Sequence, residues 1–570
     1  MKNILRNTNN GTLLSEGWLA LIMLFLFSGI IGHDPWKQDE TYSFGIIYHF
    51  YTAHSWLIPM NVNIPFMEKP PLYYWSAVLM CKLLGGILSL PDAARMTSFV
   101  YMLATAWFAW KISQVLFQHD ALRKEKGWMV MTLLLGSIGL VRHAHDMFTD
   151  VALLTGTAVA VYGMALLICL PDTWKQAGLW FGLGIGMAFM SKGLMMPVTL
   201  CASGIILWCA LPVLHTRRTA WAVLISLCAA APFLFIWPAL LYQDSPLLFM
   251  QWFWDNNIGR FLGFSVHHLG APNERYYFLI AVLWFAFPVF PLACITIFRD
   301  SRAWRKPEFA LPFAIVMTGF ALLLASASAR ALYLLPLLLP LSLLAVQALT
   351  RLPPRFLAGW NRAIRILFTA LVIAIWLTWW GLLHPVVINM YPVLPHYIGK
   401  WLPLDFMPSG SQGWALMLAI ALTAVWLDCL RAQPRSALGT AHIWLAGVMV
   451  LWGVSHTLLL PWINETKSYR SVIEQMTDFA DRSPYAGQCM GNNNLGESIA
   501  PMFKFFGGKY SVSPTQDFSD TTCPMLFTVR EKTAPELLDA KWKLVWKGSR
   551  ALDEKNEELR LYVRKDSYNL

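Results

Sequence analysis

Charge is scarce in this sequence. Of its 570 residues, 14% are Asp, Glu, Lys or Arg, and 56% are hydrophobic. A soluble chain of that length needs far more charge to cover its surface, so a soluble globular class is excluded. Long apolar runs stand where the charge is missing, which leaves a polytopic membrane protein. Cys and His clusters with the spacing of a structural zinc site are also missing. So is a glycine-rich phosphate loop, and no nucleotide cofactor is expected. Internal repeats and low-complexity segments are absent as well. The net charge of +11 does not imply nucleic acid, because the basic residues lie in short clusters between apolar runs. That is the positive-inside pattern.

A helix needs about 20 apolar residues to cross a bilayer. Candidate runs are 17–33, 71–90, 95–117, 128–145, 149–170, 177–190, 193–214, 219–242, 276–298, 308–326, 331–349, 366–385, 414–430 and 443–461. The first reads as an uncleaved span rather than a signal peptide, since no small-residue cleavage site follows it. Lys2 and Arg6 place the N-terminus inside. If every run crossed, Arg123, Lys124 and Lys126 would fall outside, and later basic loops with them. The run 71–90 starts at Pro70-Pro71 and carries Lys82 and a Gly-Gly. Laid along the outer interface as an amphipathic helix, it leaves about thirteen spans and puts every basic loop inside.

The expected fold is thus an all-α polytopic membrane domain over 1–462, with an outer loop 34–94, and a small α/β domain over 463–570 outside the membrane. In that tail a helix is expected over 471–479 and strands over 525–529, 544–546 and 559–563. Cys489 and Cys523 lie in it and are expected to pair in an oxidising compartment. The other cysteines sit in apolar stretches and read as small hydrophobes.

With this topology the unusual polar residues gather at outer helix ends and outer loops. They are Asp39, Glu40, Glu68 and Lys69 in the first outer loop, then Arg142, His143, His145, Asp146 and Asp150. Lys192, Asp255, Arg260, His267, His268, Arg330 and Tyr333 follow. Charges beside a bilayer are costly and mark substrate or ion sites. Carboxylates, imidazoles and cations on one face offer acid–base groups, metal ligands and phosphate partners. Bland readings compete: Lys192 snorkelling to the interface, aromatics as interfacial anchors, His267-His268 as a solvated loop pair, Asp39-Glu40 as a helix cap.

The stretch 39–75 begins Asp-Glu-Thr-Tyr-Ser and ends Phe-Met-Glu-Lys-Pro-Pro-Leu-Tyr-Tyr-Trp. It resembles the polyprenyl-phosphate-sugar glycosyltransferases of the GT-C class, above all the lipid A aminoarabinose transferases and more distantly the protein O-mannosyltransferases. Further matches are 142–150, Ser191-Lys192-Gly193, 253–262 leading to His267-His268, and the run Arg330-Ala-Leu-Tyr-Leu-Leu-Pro336. The resemblance covers roughly 15–345. It implies Asp39 as the base that deprotonates the acceptor, with Asp146 and Glu40 as further acidic candidates. Lys69, with Arg260 or Arg330, would hold the carrier phosphate, and Tyr333 and Lys192 fall in the same matched motifs. Glu68 with His268 or His267 would bind a divalent metal (Zn or Mg/Mn).

The implied substrates are a polyprenyl-phosphate-linked sugar donor and lipid A or another periplasmic acceptor, at a bacterial inner membrane. Such a donor is already activated. The enzyme needs a base for the acceptor and positive charge for the departing phosphate. Protein hydroxyls are the alternative acceptor. A transporter or lipid flippase is the alternative class, but it should show repeated halves with charges near the bilayer midplane. A scaffold around the tail domain leaves the charges unexplained.

Overall fold

A computed structural model of the chain describes residues 19, 22–37, 39–53, 55–266, 276–300, 303–390, 393–408, 413–431, 436–493, 495–508, 512–514, 523–535, 541–553 and 556–565. It is mostly helical, with a small sheet near the C-terminus. Among the described residues, seven helices are long and apolar enough to cross a membrane. An eighth span arises if Tyr277–Phe285 and Val289–Arg299, bent by 102° at their junction, count as one. Shorter or more charged helices occupy other expected spans, among them Leu90–Leu116, Arg123–Leu135, Trp174–Lys192 and Met195–Ala210. Thr149–Cys169 has 89% of its apolar window buried and forms the centre of the bundle. Arg217–Asp244 and Pro354–Leu383 bury only 22%, so most of their apolar surface is left for lipid.

The segment 34–94 is more regular than expected. Asp39–Ala53 is a helix rather than loop, followed by a hairpin of β1 (Met60–Asn61) and β2 (Ile64–Pro65) and the helix Leu72–Leu84. Helix Asp39–Ala53 buries Thr41, Ser43, Phe44, Ile46, Ile47 and Phe50, which lie all around its axis. No 3.6-residue stripe therefore marks it in the sequence. Leu72–Leu84 has 13 residues, about 20 Å of helix against an apolar bilayer thickness of about 30 Å.

The C-terminal sheet has five strands in the order β4-β3-β5-β7-β6, with β3 Met490–Asn493, β4 Val512–Pro514, β5 Met525–Glu531, β6 Trp542–Gly548 and β7 Glu557–Arg564. The pairs β3–β4 and β3–β5 are parallel; β5–β7 and β7–β6 are antiparallel. The three expected strands lie inside β5, β6 and β7, and the expected helix lies inside Arg470–Asp481. Cys489 and Cys523 form the expected disulfide, their Cα atoms 5.3 Å apart. The expected boundary at 462/463 falls within the helix Leu460–Lys467.

One hydrophobic cluster joins Phe44, Ile47, Phe50 and Tyr74 of the first outer segment to Ile473, Phe503 and Phe527 of the C-terminal region. Gly45 makes the closest contact. A Cβ there would run into Pro501 and would sit 2.7 Å from Asn61 Oδ1. Ion pairs fasten the same seam: Arg470 to Asp34 at 2.5 Å and Lys37 to Glu557 at 2.6 Å. Burial pushes the Asp34 carboxyl up, but hydrogen bonds from Arg470, Ser468 and Asn464 outweigh it and hold the pKa below its ordinary value.

Candidate active site

Seven of the expected residues line one cavity of about 830 Å³: Asp39, Glu68, Lys69, Lys192, Arg260, Arg330 and Tyr333. Asp39 opens its helix, where the macrodipole favours a carboxylate. Tyr42 lies one turn on and donates its hydroxyl to Asp39 Oδ1 at 2.9 Å. Lys69 Nζ in turn donates to the Tyr42 oxygen at 2.5 Å. Burial, and then the Asp39 charge, hold the Tyr42 phenol well above its ordinary pKa, so it stays a donor at neutral pH. The result is a Lys69–Tyr42–Asp39 relay. Two of the three Lys69 protons and the second Asp39 oxygen remain for ligands.

On the facing wall Arg260 binds Glu68, NH2 to Oε1 at 2.8 Å and NH1 to Oε2 at 3.5 Å. Arg260 follows a π-helical turn, Gln251–Gly259, whose wider winding also brings Asn256 and Asn257 onto the cavity. Lys192 ends the helix Trp174–Lys192, donates to Asp150 Oδ1, and lies 4.3 Å above the Tyr333 ring. Gly193 has φ +85°, and a Cβ there would overlap Asn257 Oδ1, which accepts from Leu194 N at 3.2 Å. Glycine is needed on both counts.

The C-terminal region contributes Glu497, which the sequence reading missed. It opens the helix Gly496–Phe506, and Asn61 Nδ2 donates to its carbonyl at 2.8 Å. Partial desolvation, and then the charges of Glu68 and Asp39, push its carboxyl pKa up. Ser326 and Ser328 also line the cavity and were missed. Tyr42 carried a signal, namely its spacing from Asp39; Asn256, Ser326, Ser328 and Glu497 carried none.

Glu40 is a correction. It is buried away from the cavity, and its Oε1 accepts from Arg95 Nε at 2.9 Å and Met147 N at 3.0 Å. Its Oε2 accepts from Trp36 N at 3.0 Å. With both oxygens engaged and no place in the cavity lining, it frames the site rather than facing a ligand. Asp146 does not line the cavity either. Its carboxylate accepts from His143 Nδ1 at 3.1 Å, with Arg142 Nε at 3.9 Å. His267 and His268 lie outside the described residues. Among the described residues no group of three His, Cys, Asp or Glu is placed to hold a metal ion, and Glu68 is turned to Arg260.

The cavity therefore joins three carboxylates, a relay and four cations to apolar lining that includes Leu194, Met195, Val198 and Leu322. The crystal structure of ArnT from Cupriavidus metallidurans bound to undecaprenyl phosphate superposes with a TM-score of 0.65. It covers 97% of this chain and 98% of that one at 16% identity. This chain has the ArnT fold. The apo-state ArnT structure gives the same TM-score at 17% identity. The sequence family described as dolichyl-phosphate-mannose-protein mannosyltransferase matches residues 68–237, a stretch that starts at Glu68 of the cavity.

The chain is similar to the undecaprenyl phosphate-α-4-amino-4-deoxy-L-arabinose arabinosyl transferase 1 of Pseudomonas fluorescens, 24% identical over 343 residues. A second such transferase, from Proteus mirabilis, is 22% identical over 361 residues. These matches span 57% and 63% of the two relatives' own lengths.

Proposed function

We propose that this chain is an integral-membrane glycosyltransferase that moves a sugar from a polyprenyl (undecaprenyl) phosphate carrier to a periplasmic acceptor, first of all lipid A. The single observation that carries this is the cavity, with Asp39 and Lys69 linked through Tyr42 at its polar end and apolar side chains along its wall. A lipid phosphate needs both ends of such a cavity. The similarity to aminoarabinose transferases, and to a structure holding undecaprenyl phosphate, supports the same reading.

In the reaction Asp39 takes the proton of the acceptor hydroxyl while that oxygen bonds to the anomeric carbon. The bond from that carbon to the phosphate oxygen breaks, and the phosphate leaves with the electron pair. Lys69, Arg260 and Arg330, with Lys192 and Tyr333 beside them, supply the positive charge and donors that stabilise the leaving group. Asp146, paired with His143 outside the cavity, takes no direct part in the step. A metal ion held by Glu68 with His267 or His268 would compete with Arg260 for the Glu68 carboxylate.

About thirteen spans, with the cavity and the C-terminal domain on the periplasmic face of a bacterial inner membrane, complete the proposal. The short helix Leu72–Leu84 supports it, since the topology needs that run to lie along the interface. Mass spectrometry of lipid A and of periplasmic proteins, from cells with and without the gene, tests the acceptor. Loss of a sugar from lipid A is expected. Loss from a protein alone would reassign the acceptor to protein hydroxyls, and no change in either would overturn the transferase reading.

A further inference from the structure

A second, dry cavity of about 160 Å³ lies at the other end of the bundle, where Tyr277–Phe285 and Val289–Arg299 part at their 102° bend. Phe287 and Pro288 at the bend line it together with Leu349, Trp360, Ala441 and Trp444, and the Phe287 ring packs on both tryptophans. Two of its polar wall groups are already engaged. Trp444 Nε1 donates to Gly136 O at 2.8 Å. Thr440 Oγ1 accepts from Asn361 Nδ2 at 3.2 Å and donates to Ser436 O at 3.0 Å. The lining is almost wholly apolar, so hydrocarbon suits this space better than water. The mouth is apolar and open: Ile295 is 40% exposed and Phe356 51% exposed, both on helices whose outer surfaces face lipid.

Two exposed arginines neighbour the mouth residues along the chain. Arg299 is one turn beyond Ile295 on the same helix face and is exposed. Arg355 adjoins Phe356 at the start of Pro354–Leu383 and is also exposed. Arg351, two residues past Leu349, is neutralised by its ion pair with Asp300. The other two arginines sit at the membrane end that carries the basic loops, where anionic headgroups collect juxtamembrane cations.

We infer that this pocket binds one acyl chain of an anionic phospholipid, with Arg299 and Arg355 holding its phosphate. The site is separate from the carrier cavity. It shares no lining residue with it, and its occupant would be a structural lipid of the inner leaflet rather than a substrate.

Native mass spectrometry of the full chain, exchanged into phosphatidylglycerol or phosphatidylcholine, tests this. Wild-type protein is expected to retain phosphatidylglycerol and to melt higher in it than in phosphatidylcholine. Ala441→Phe, which fills the pocket, and Ile295→Trp, which closes its mouth, should both lose the retained lipid and the melting shift. If Ala441→Phe fails to fold, Ile295→Trp decides. Arg299→Ala and Arg355→Ala should each lower the preference for the anionic lipid by about fivefold while leaving phosphatidylcholine retention unchanged. Equal retention of the two lipids by the wild type would overturn the proposal. So would undiminished retention in a folded pocket-filling variant, or a polyprenyl phosphate, recognised by its mass, lost from the pocket variants in place of a phospholipid.

Discussion

Replacing Lys69 by Ala removes a cation that touches the site at two points. Its ammonium donates to Tyr42 at 2.5 Å and lies 4.8 Å from the centre of the Tyr42 ring. If Lys69 meets the leaving phosphate, its loss costs on the order of 2.7–4 kcal/mol at the transition state, or about 10²–10³ in kcat. If instead it acts only by orienting Asp39 through Tyr42, then Tyr42→Phe should cost as much. Phe keeps the ring, its 5.0 Å stack on Phe66 and the cation–ring contact, but removes the hydroxyl that links the two charges.

One hydrogen bond to a charged group is worth about 1.5–3 kcal/mol, so Tyr42→Phe should cost about 10–10²-fold and less than Lys69→Ala. Lys69→Arg should rescue poorly, because a planar fork replaces a compact ammonium. The assay is single-turnover transfer from purified lipid-linked sugar in detergent, with donor binding measured separately. Turnover of Lys69→Ala within a factor of about two of wild type would refute the reasoning and leave the lysine as a membrane-interface anchor.

Glu40→Gln should damage the fold rather than the chemistry, because it breaks a buried pair with Arg95 and costs about 3–5 kcal/mol. Thermal melting should fall with it, and the fraction that remains folded should transfer at near the normal rate. Cys489→Ser with Cys523→Ser opens a loop of 34 residues and should destabilise the C-terminal region by about 3–4 kcal/mol, read as a lower melting temperature that reductant reproduces in the wild type. A cysteine placed at Lys124 should escape labelling from the periplasmic side; efficient labelling there would mean that 71–90 spans and would put Asp146 on the wrong face.

Asp39, Glu68, Lys69, Lys192, Arg260 and Arg330 were legible because each is a charge beside an apolar run, and charge there is too costly to be incidental. Glu40 has the same signature for another reason. Its partner Arg95 lies 55 residues on, at the start of a run read as plain span, and nothing local reveals a buried pair. The neutral lining groups Asn256, Asn257, Ser326 and Ser328 cost little at an interface and so do not stand out. Glu497 reaches the cavity only because Gly45 lets the helix around Pro501 pack against Asp39–Ala53, a contact across more than 400 residues of chain. The expected strands 525–529 and 559–563 lie inside β5 and β7, where burial runs unbroken rather than alternating, whereas the helix Asp39–Ala53 was not legible, because it is buried on all sides.

The central claim is that Asp39 takes the acceptor proton. Asp39→Asn keeps the size, the oxygen that accepts from Tyr42 and a residue equally good at a helix start, but it cannot take a proton. The measurement is the single-turnover transfer rate of purified Asp39→Asn, beside its melting temperature and its affinity for the lipid-linked donor. The account predicts near-normal melting and donor binding with transfer slowed at least about 10²-fold. Wild-type transfer by Asp39→Asn would contradict it and reduce Asp39 to a helix cap, leaving Glu497 as the base.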